Sequence, residues 1–158
     1  MEIFPDAKFI YIVRDGRDVA LSLLRKKWGP NNIYTCAKEW KAANNQYELI
    51  DLLEKNKQLI KVYYENLVTR PVEECSKVYE FIGEDPLSYN NEIESLTKNT
   101  LSSNFNKWTT VLSPFQQKIY ESEAQGCLQM HGYVTNYPDN IKINFLLKIF
   151  FTCHNLIL

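Results

Sequence analysis

The residues best equipped for chemistry are gathered in one stretch, Lys8-Phe-Ile-Tyr-Ile-Val-Arg-Asp-Gly-Arg-Asp-Val-Ala-Leu-Ser22. Arg14 carries a planar, permanently charged fork that matches the oxygens of a phosphate. Ser22 follows Asp18 by one helical turn on the same face and offers a hydroxyl near the same place. The elements that must hold these groups are legible around them. Phe9 to Val13 is a short run of β-formers, apolar enough for a buried strand. A helical pattern then places Val19, Leu23 and Leu24 on one side, with Arg25, Lys26 and Lys27 closing the last turn as the helix dipole prefers. Asp15 is placed to cap that helix, and Asp18 sits in its first turn. The order is buried strand, charged turn, helix. In an α/β sheet ligands collect at such a junction, and the free N–H groups of a helix start favour anions.

The segment Ile12-Val-Arg-Asp-Gly-Arg-Asp-Val-Ala-Leu-Ser22 resembles the 3′-phosphate-binding signature of sulfotransferases that use 3′-phosphoadenosine 5′-phosphosulfate (PAPS). The resemblance implies that Arg14 and Ser22 hold the 3′-phosphate. Gly16 stands where the family often has Pro, and either residue suits a tight turn. Val62-Tyr-Tyr-Glu-Asn-Leu67, with Pro71 opening a helix, resembles the family's Tyr-Glu-Asp-Leu element. That likeness would set Tyr64 beside the adenine, whereas the residues alone read it as a strand-end tyrosine with one wet edge. Phe81-Ile82-Gly83 resembles the end of the helix that follows. Asn106-Lys107-Trp108 resembles in part a late Lys/Trp pair near the 3′-phosphate, which would make Lys107 a phosphate contact. Leu101-Ser102-Ser103 replaces the Arg-Lys-Gly of many members, and Lys107 otherwise reads as a solvated surface lysine.

The fold implied is α/β, a P-loop-NTPase-like parallel sheet with flanking helices, incomplete at its N-terminal end. Residues 1–136 are expected to be a partial sulfotransferase domain and 137–158 an apolar tail of uncertain structure. The family's phosphosulfate loop, its lysine and its catalytic base would lie before Met1; no G-x-x-x-x-G-K-[ST] occurs in the sequence. No catalytic residue is therefore assigned. The function implied is sulfuryl transfer from PAPS, without a metal, to a hydroxyl or amine acceptor. The alternative is a remnant that binds PAP or PAPS without turnover. A different phosphotransferase fits poorly, for want of a Walker-type lysine and an acidic metal pair. The acceptor stays open among carbohydrate, small alcohol, phenol and peptide tyrosine.

Composition narrows the partners. With 158 residues and a net charge of −1, the chain lacks the basic excess of a general nucleic-acid binder. Cys36, Cys75, Cys127 and Cys153 are scattered, with no C-x-x-C and no histidine at zinc spacing, so they read as buried free thiols. That usage, and the lack of a secretory signal at Met1, suits the cytoplasm.

Elsewhere the pattern predicts one long helix over Tyr34–Glu54, with Trp40, Ala43, Tyr47, Ile50 and Leu53 on its core face. It predicts a second strand over Leu59–Tyr64 and a helix from Pro71 to Gly83. Ser95–Thr110 reads mostly as loop. A further helix is capped by Ser113, with Phe115, Ile119, Ala124, Cys127 and Leu128 as its apolar side, and ends at His131 as an ordinary helix-end histidine. Ile143–Leu158 is apolar but shorter than the roughly 20 residues of a membrane span. A docked helix, a membrane-surface helix and a read-through product all stay open for it. A sheet lacking a strand exposes an apolar edge, which predicts self-association.

Overall fold

In the computed structural model of the chain, which describes residues 5–89, 91, 92, 95, 105–138 and 141–156, Phe9–Val13 and Leu59–Tyr63 form strands β1 and β2. They pair in parallel, in register from Phe9 opposite Leu59 to Val13 opposite Tyr63. The chain divides into two units, one of Met1–Arg14 with Gln46–Asn104, the other of Asp15–Asn45 with Phe105–Leu158.

The first unit is built on the strand pair. Alternation sends Tyr11 and Leu59 to one face of the sheet. There they pack with Ile50 and Leu53 of helix α3 (Tyr47–Lys55), whose spacing of three puts both on one side. On the other face Val62 is buried, but Ile10 and Ile12 are 47% and 54% exposed. Helix α4 (Tyr64–Thr69) follows β2 with no loop between them. Helix α5 (Pro71–Ile82) opens on proline, whose missing N–H costs nothing there, and closes on Gly83 at φ 98°, a left-handed stop that favours glycine. A 3₁₀ turn over Pro86–Tyr89 stacks Tyr89 on Tyr79 at 4.4 Å. Lys8 Nζ donates to the Phe81 carbonyl at 2.6 Å, tying the start of β1 to the end of α5.

The second unit is helical. It holds α1 (Gly16–Leu23), α2 (Ile33–Asn44), the short α6 (Trp108–Val111), α7 (Pro114–Met130) and α8 (Phe145–Leu156). Its core forms where α2 packs along α7, with Cys36, Ala37 and Trp40 meeting a buried face of Ile119, Tyr120, Ala124, Cys127 and Leu128. Ser113 and Gln116 cap α7 reciprocally: Ser113 Oγ accepts from Gln116 N at 3.3 Å, and Gln116 Oε1 accepts from Ser113 N at 2.9 Å. Burial, then the nearby Glu39 carboxylate, pushes the Cys36 thiol up to about 12, so it stays a neutral core group. The apolar tail folds as α8 and packs on α2. Asn32 Nδ2 donates to Phe151 O at 2.8 Å, and Phe151 stacks on Tyr34 at 6.0 Å.

Several expectations are corrected. The long helix over Tyr34–Glu54 is two helices, because Asn45 and Gln46 leave helical geometry and the halves fall in different units. Asn44 turns its side-chain amide back onto Trp40 O at 2.7 Å, the local bonding by which asparagine competes with a continuing helix. Helix α1 stops at Leu23, so Arg25, Lys26 and Lys27 lie in the turns beyond it. There Lys26 N bonds Leu23 O, and the chain tightens ahead of Gly29 and Pro30. Tyr64 opens α4 instead of ending β2. Phe115 is 57% exposed, since as the second residue of α7 it precedes the packed turns. Cys75 is half-buried and Cys153 exposed, unlike Cys36 and Cys127. Within Ser95–Thr110 the described residues are Ser95 and 105–110, and α6 begins at Trp108; Leu101-Ser102-Ser103 lies outside the described residues. Among the described residues no helix is long and apolar enough to cross a membrane.

Candidate functional site

Arg14 and Tyr64 are neighbours because of the strand register. Val13 pairs with Tyr63, so the residues that leave the two strands emerge side by side. The Arg14 guanidinium lies 4.4 Å from the Tyr64 ring centroid, a cation–π contact. Arg14 is half-buried, which holds its fork in place at the strand ends. One face of Tyr64 is taken by that contact, so a base approaching the ring must use its other face or its edge.

The groups that follow in sequence belong to the second unit. Asp15 caps α1, its Oδ1 accepting from Arg17 N at 2.9 Å. The same carboxylate takes Arg17 Nε at 3.0 Å and Nη2 at 2.8 Å. Arg17 Nη1 donates to Glu121 Oε1 at 2.8 Å and Nη2 to Val134 O at 2.9 Å. The guanidinium also lies 3.5 Å from the Trp108 ring centroid. Glu121 is fully buried, and its Oε2 accepts from Asn136 N and Tyr137 N at 2.9 and 3.0 Å. Every fork of Arg17 is spent inside the protein. It holds α1, α7 and the 134–137 segment together, and its charge is balanced on both sides as a buried ion demands.

Asp18 has a different task. Its two oxygens accept from Asn106 N at 2.6 Å and Trp108 N at 3.0 Å, clasping the backbone on either side of Lys107. Asn106 adopts φ 57°, a left-handed conformation that asparagine tolerates. Asp18 thus seats the Lys107 segment on the first turn of α1, while the exposed Ser22 lies one turn further along that helix. Ser22 Oγ donates to Asp18 O at 3.3 Å, a long bond that the hydroxyl must release before it can donate to an anion. Lys107 is exposed.

Gly16 is explained by packing and not by the turn alone. A Cβ there would overlap the Tyr120 hydroxyl and the Trp40 ring, whose Cε2 would be 2.7 Å away. The expectation that proline would serve equally well is therefore corrected: proline also carries a Cβ, and this core leaves no room for one. Burial, then the Asp15 charge, raises the Tyr120 phenol well above its ordinary range, so it stays protonated.

Of the four residues singled out from sequence, Arg14 and Tyr64 meet in the first unit, and Ser22 and Lys107 share the second. The roles of Arg17, Asp18 and Glu121 were missed. A signal existed for Arg17: it stands three and four residues before the buried Ala20 and Leu21, on the inward side of α1. No local signal marks Glu121.

The sequence profile of the sulfotransferase family matches residues 1–88. The chain belongs to the sulfotransferase family. The matched part runs from the N-terminus through β1, α1 to α3, β2, α4 and α5, and contains Arg14, Ser22 and Tyr64 but not Lys107. The chain is 33% identical over 88 residues to protein-tyrosine sulfotransferase A of Caenorhabditis elegans, covering 51% of the chain and 23% of that protein. It is 32% identical over 88 residues to the protein-tyrosine sulfotransferase of Drosophila melanogaster, covering 52% of the chain and 17% of the relative. The chain thus spans a quarter or less of the length of these two relatives. No solved structure matches it.

Proposed function

We infer that this sulfotransferase chain supplies the 3′-phosphate and adenine side of a PAPS site, for sulfuryl transfer to a tyrosine hydroxyl. The observation that carries the reading is the Arg14–Tyr64 pair at the parallel strand ends, inside the segment that matches the family. A fixed guanidinium beside an aromatic ring offers an oxyanion and a purine what each requires. The family resemblance names Ser22 and Lys107, which belong to the other unit, as further candidate contacts for the 3′-phosphate. The same reading takes β1 and β2 as part of a P-loop-like sheet, which accords with their parallel pairing. The names of the two relatives support tyrosine as the acceptor.

In the reaction the acceptor oxygen attacks the sulfur in line. The bond from sulfur to the phosphate oxygen breaks, PAP departs, and the acceptor proton passes to a general base. Cations around the leaving phosphate stabilise the charge that grows there. His131 is buried and its Nε2 lies 3.1 Å from Asn44 O, a structural placement, so the base is left unassigned.

Calorimetric titration with PAP and with adenosine 5′-phosphate tests the reading. PAP is expected to bind more tightly than the mononucleotide, and Arg14→Ala to remove about 1.5–3 kcal/mol of that affinity. Equal affinities for the two nucleotides, or a full PAP affinity in the variant, would sink it. PAP binding without sulfuryl transfer to a tyrosine peptide would favour a nucleotide-binding remnant.

A further inference from the structure

Helix α8 is apolar on its outward side as well as on its inward side, where Phe151 stacks on Tyr34. Its polar contacts face the protein: Asn155 Oδ1 accepts from Asn31 N at 2.8 Å, Phe151 O accepts from Asn32, and Lys148 pairs with Glu123 at 3.7 Å. Its outward side carries Phe145, Leu146, Ile149, Phe150, Cys153 and Leu156, spaced by three and four and all exposed, Phe145 to 72% and Leu156 to 81%. A contiguous apolar stripe of that kind on a protein surface calls for a partner.

The surroundings indicate which partner. The turn Arg25-Lys26-Lys27-Trp28 lies at the C-terminal end of α8, where Lys27, Trp28 and Asn155 line one cleft. The three cations are exposed, and Trp28 is 78% exposed. The unit that carries both features has ten basic and six acidic residues, a net of +4, within a chain whose total is −1. Of its acids, Asp15 and Glu121 are held by Arg17, Asp18 accepts from the Asn106 and Trp108 amides, and Glu123 is paired with Lys41 and Lys148; Glu39 is the acidic residue lining the cleft. An apolar helix face, an exposed tryptophan and adjacent cations are the combination that binds the surface of a negatively charged bilayer. Protein interfaces, by contrast, deplete lysine at their centres. With 12 residues, α8 is too short to cross and long enough to lie in the plane of the headgroups.

We propose that the outward face of α8, together with the Arg25–Trp28 turn, docks on an anionic lipid surface. Phe145, Ile149 and Phe150 enter the acyl boundary, Trp28 sits at headgroup level, and Arg25, Lys26 and Lys27 meet the lipid phosphates and carboxylates. The inference does not depend on the nucleotide site.

Vesicle sedimentation of the full chain tests it, with phosphatidylcholine alone and with added phosphatidylserine. Binding is expected with the anionic vesicles, weakening as salt rises, with Trp28 becoming protected from iodide quenching while Trp40 and Trp108 are already buried. Phe150→Asp is expected to lower the partition coefficient at least about tenfold, with an unchanged far-ultraviolet circular dichroism spectrum. Lys26→Glu with Lys27→Glu is expected to abolish the preference for phosphatidylserine. A folded chain that sediments with neither composition overturns the proposal. Equal binding to both compositions overturns it as well, since the basic turn would then have no role. So does a lipid-independent dimer that Phe150→Asp dissolves, which would assign the face to a second copy.

Discussion

At the scale of single residues, one short charged string carries three distinct tasks. Arg14 is presented beside Tyr64, Arg17 is consumed in the core, and Asp18 holds a remote segment. The sequence alone singled out Arg14 as the fork at the strand end and placed Asp15 and Asp18 at the helix start, but gave Arg17 no role. Gly16 shows why. Its necessity comes from Tyr120, which is 104 residues away in the chain and leaves no trace near position 16. Gly16→Ala is expected to cost about 1–3 kcal/mol of stability through overpacking. Among the described residues the Tyr120 hydroxyl has no hydrogen-bond partner, so Tyr120→Phe alone should be nearly neutral. In the Tyr120→Phe background the Gly16→Ala loss should shrink, with the Trp40 ring limiting the rescue. Chemical denaturation of the four proteins measures this; equal losses in both backgrounds would refute the packing account.

At the scale of elements, what was legible is what local chemistry decides. Asp15, Ser113, Pro71, Pro114 and Gly83 announced the ends of α1, α5 and α7, because caps and stops act within one turn of themselves. The strands were legible from short runs of β-formers, Phe9 to Val13 and Leu59 to Tyr64, the second read one residue too long. The break at Asn45 and Gln46 was not, since the apolar spacing continues across it and outweighs the local signal of Asn44 and Asn45. The clasp of Asp18 on Asn106 and Trp108 was equally hidden, because backbone N–H groups carry no sequence signature. It makes a prediction for α1 and the segment it seats. Asp18→Ala should cost about 2–4 kcal/mol, two backbone donors losing a charged acceptor. Amide hydrogen exchange at Asn106 and Trp108 should quicken well beyond that at Ser113, which is capped independently. Uniform quickening across the unit would mean global destabilisation and not a lost anchor.

At the scale of the whole molecule, the two units are unequal. Among the described residues, six apolar side chains are buried in the first unit and fourteen in the second. All three tryptophans lie in the second, whereas helices of both contribute to circular dichroism. Denaturant unfolding is therefore expected to be non-coincident, the circular dichroism signal beginning to fall before tryptophan fluorescence changes. Superimposable curves would show a single cooperative transition and refute it. The partition itself was invisible in the sequence, because each unit is assembled from separate stretches and no linker composition marks the crossings.

The parallel pairing of β1 with β2 also sets a schedule. A ribosome makes Phe9–Val13 first and must add the 45 residues that follow before Leu59 exists for them to pair with. At ordinary rates of translation that interval is roughly 2 to 9 seconds, long on the timescale of chain collapse. Throughout it Phe-Ile-Tyr-Ile-Val waits with its ladder bonds to β2 unmade, and even in the finished fold Ile10 and Ile12 stay half uncovered. The ladder between β1 and β2 thus closes late, after the helices of residues 16–55 have already been made.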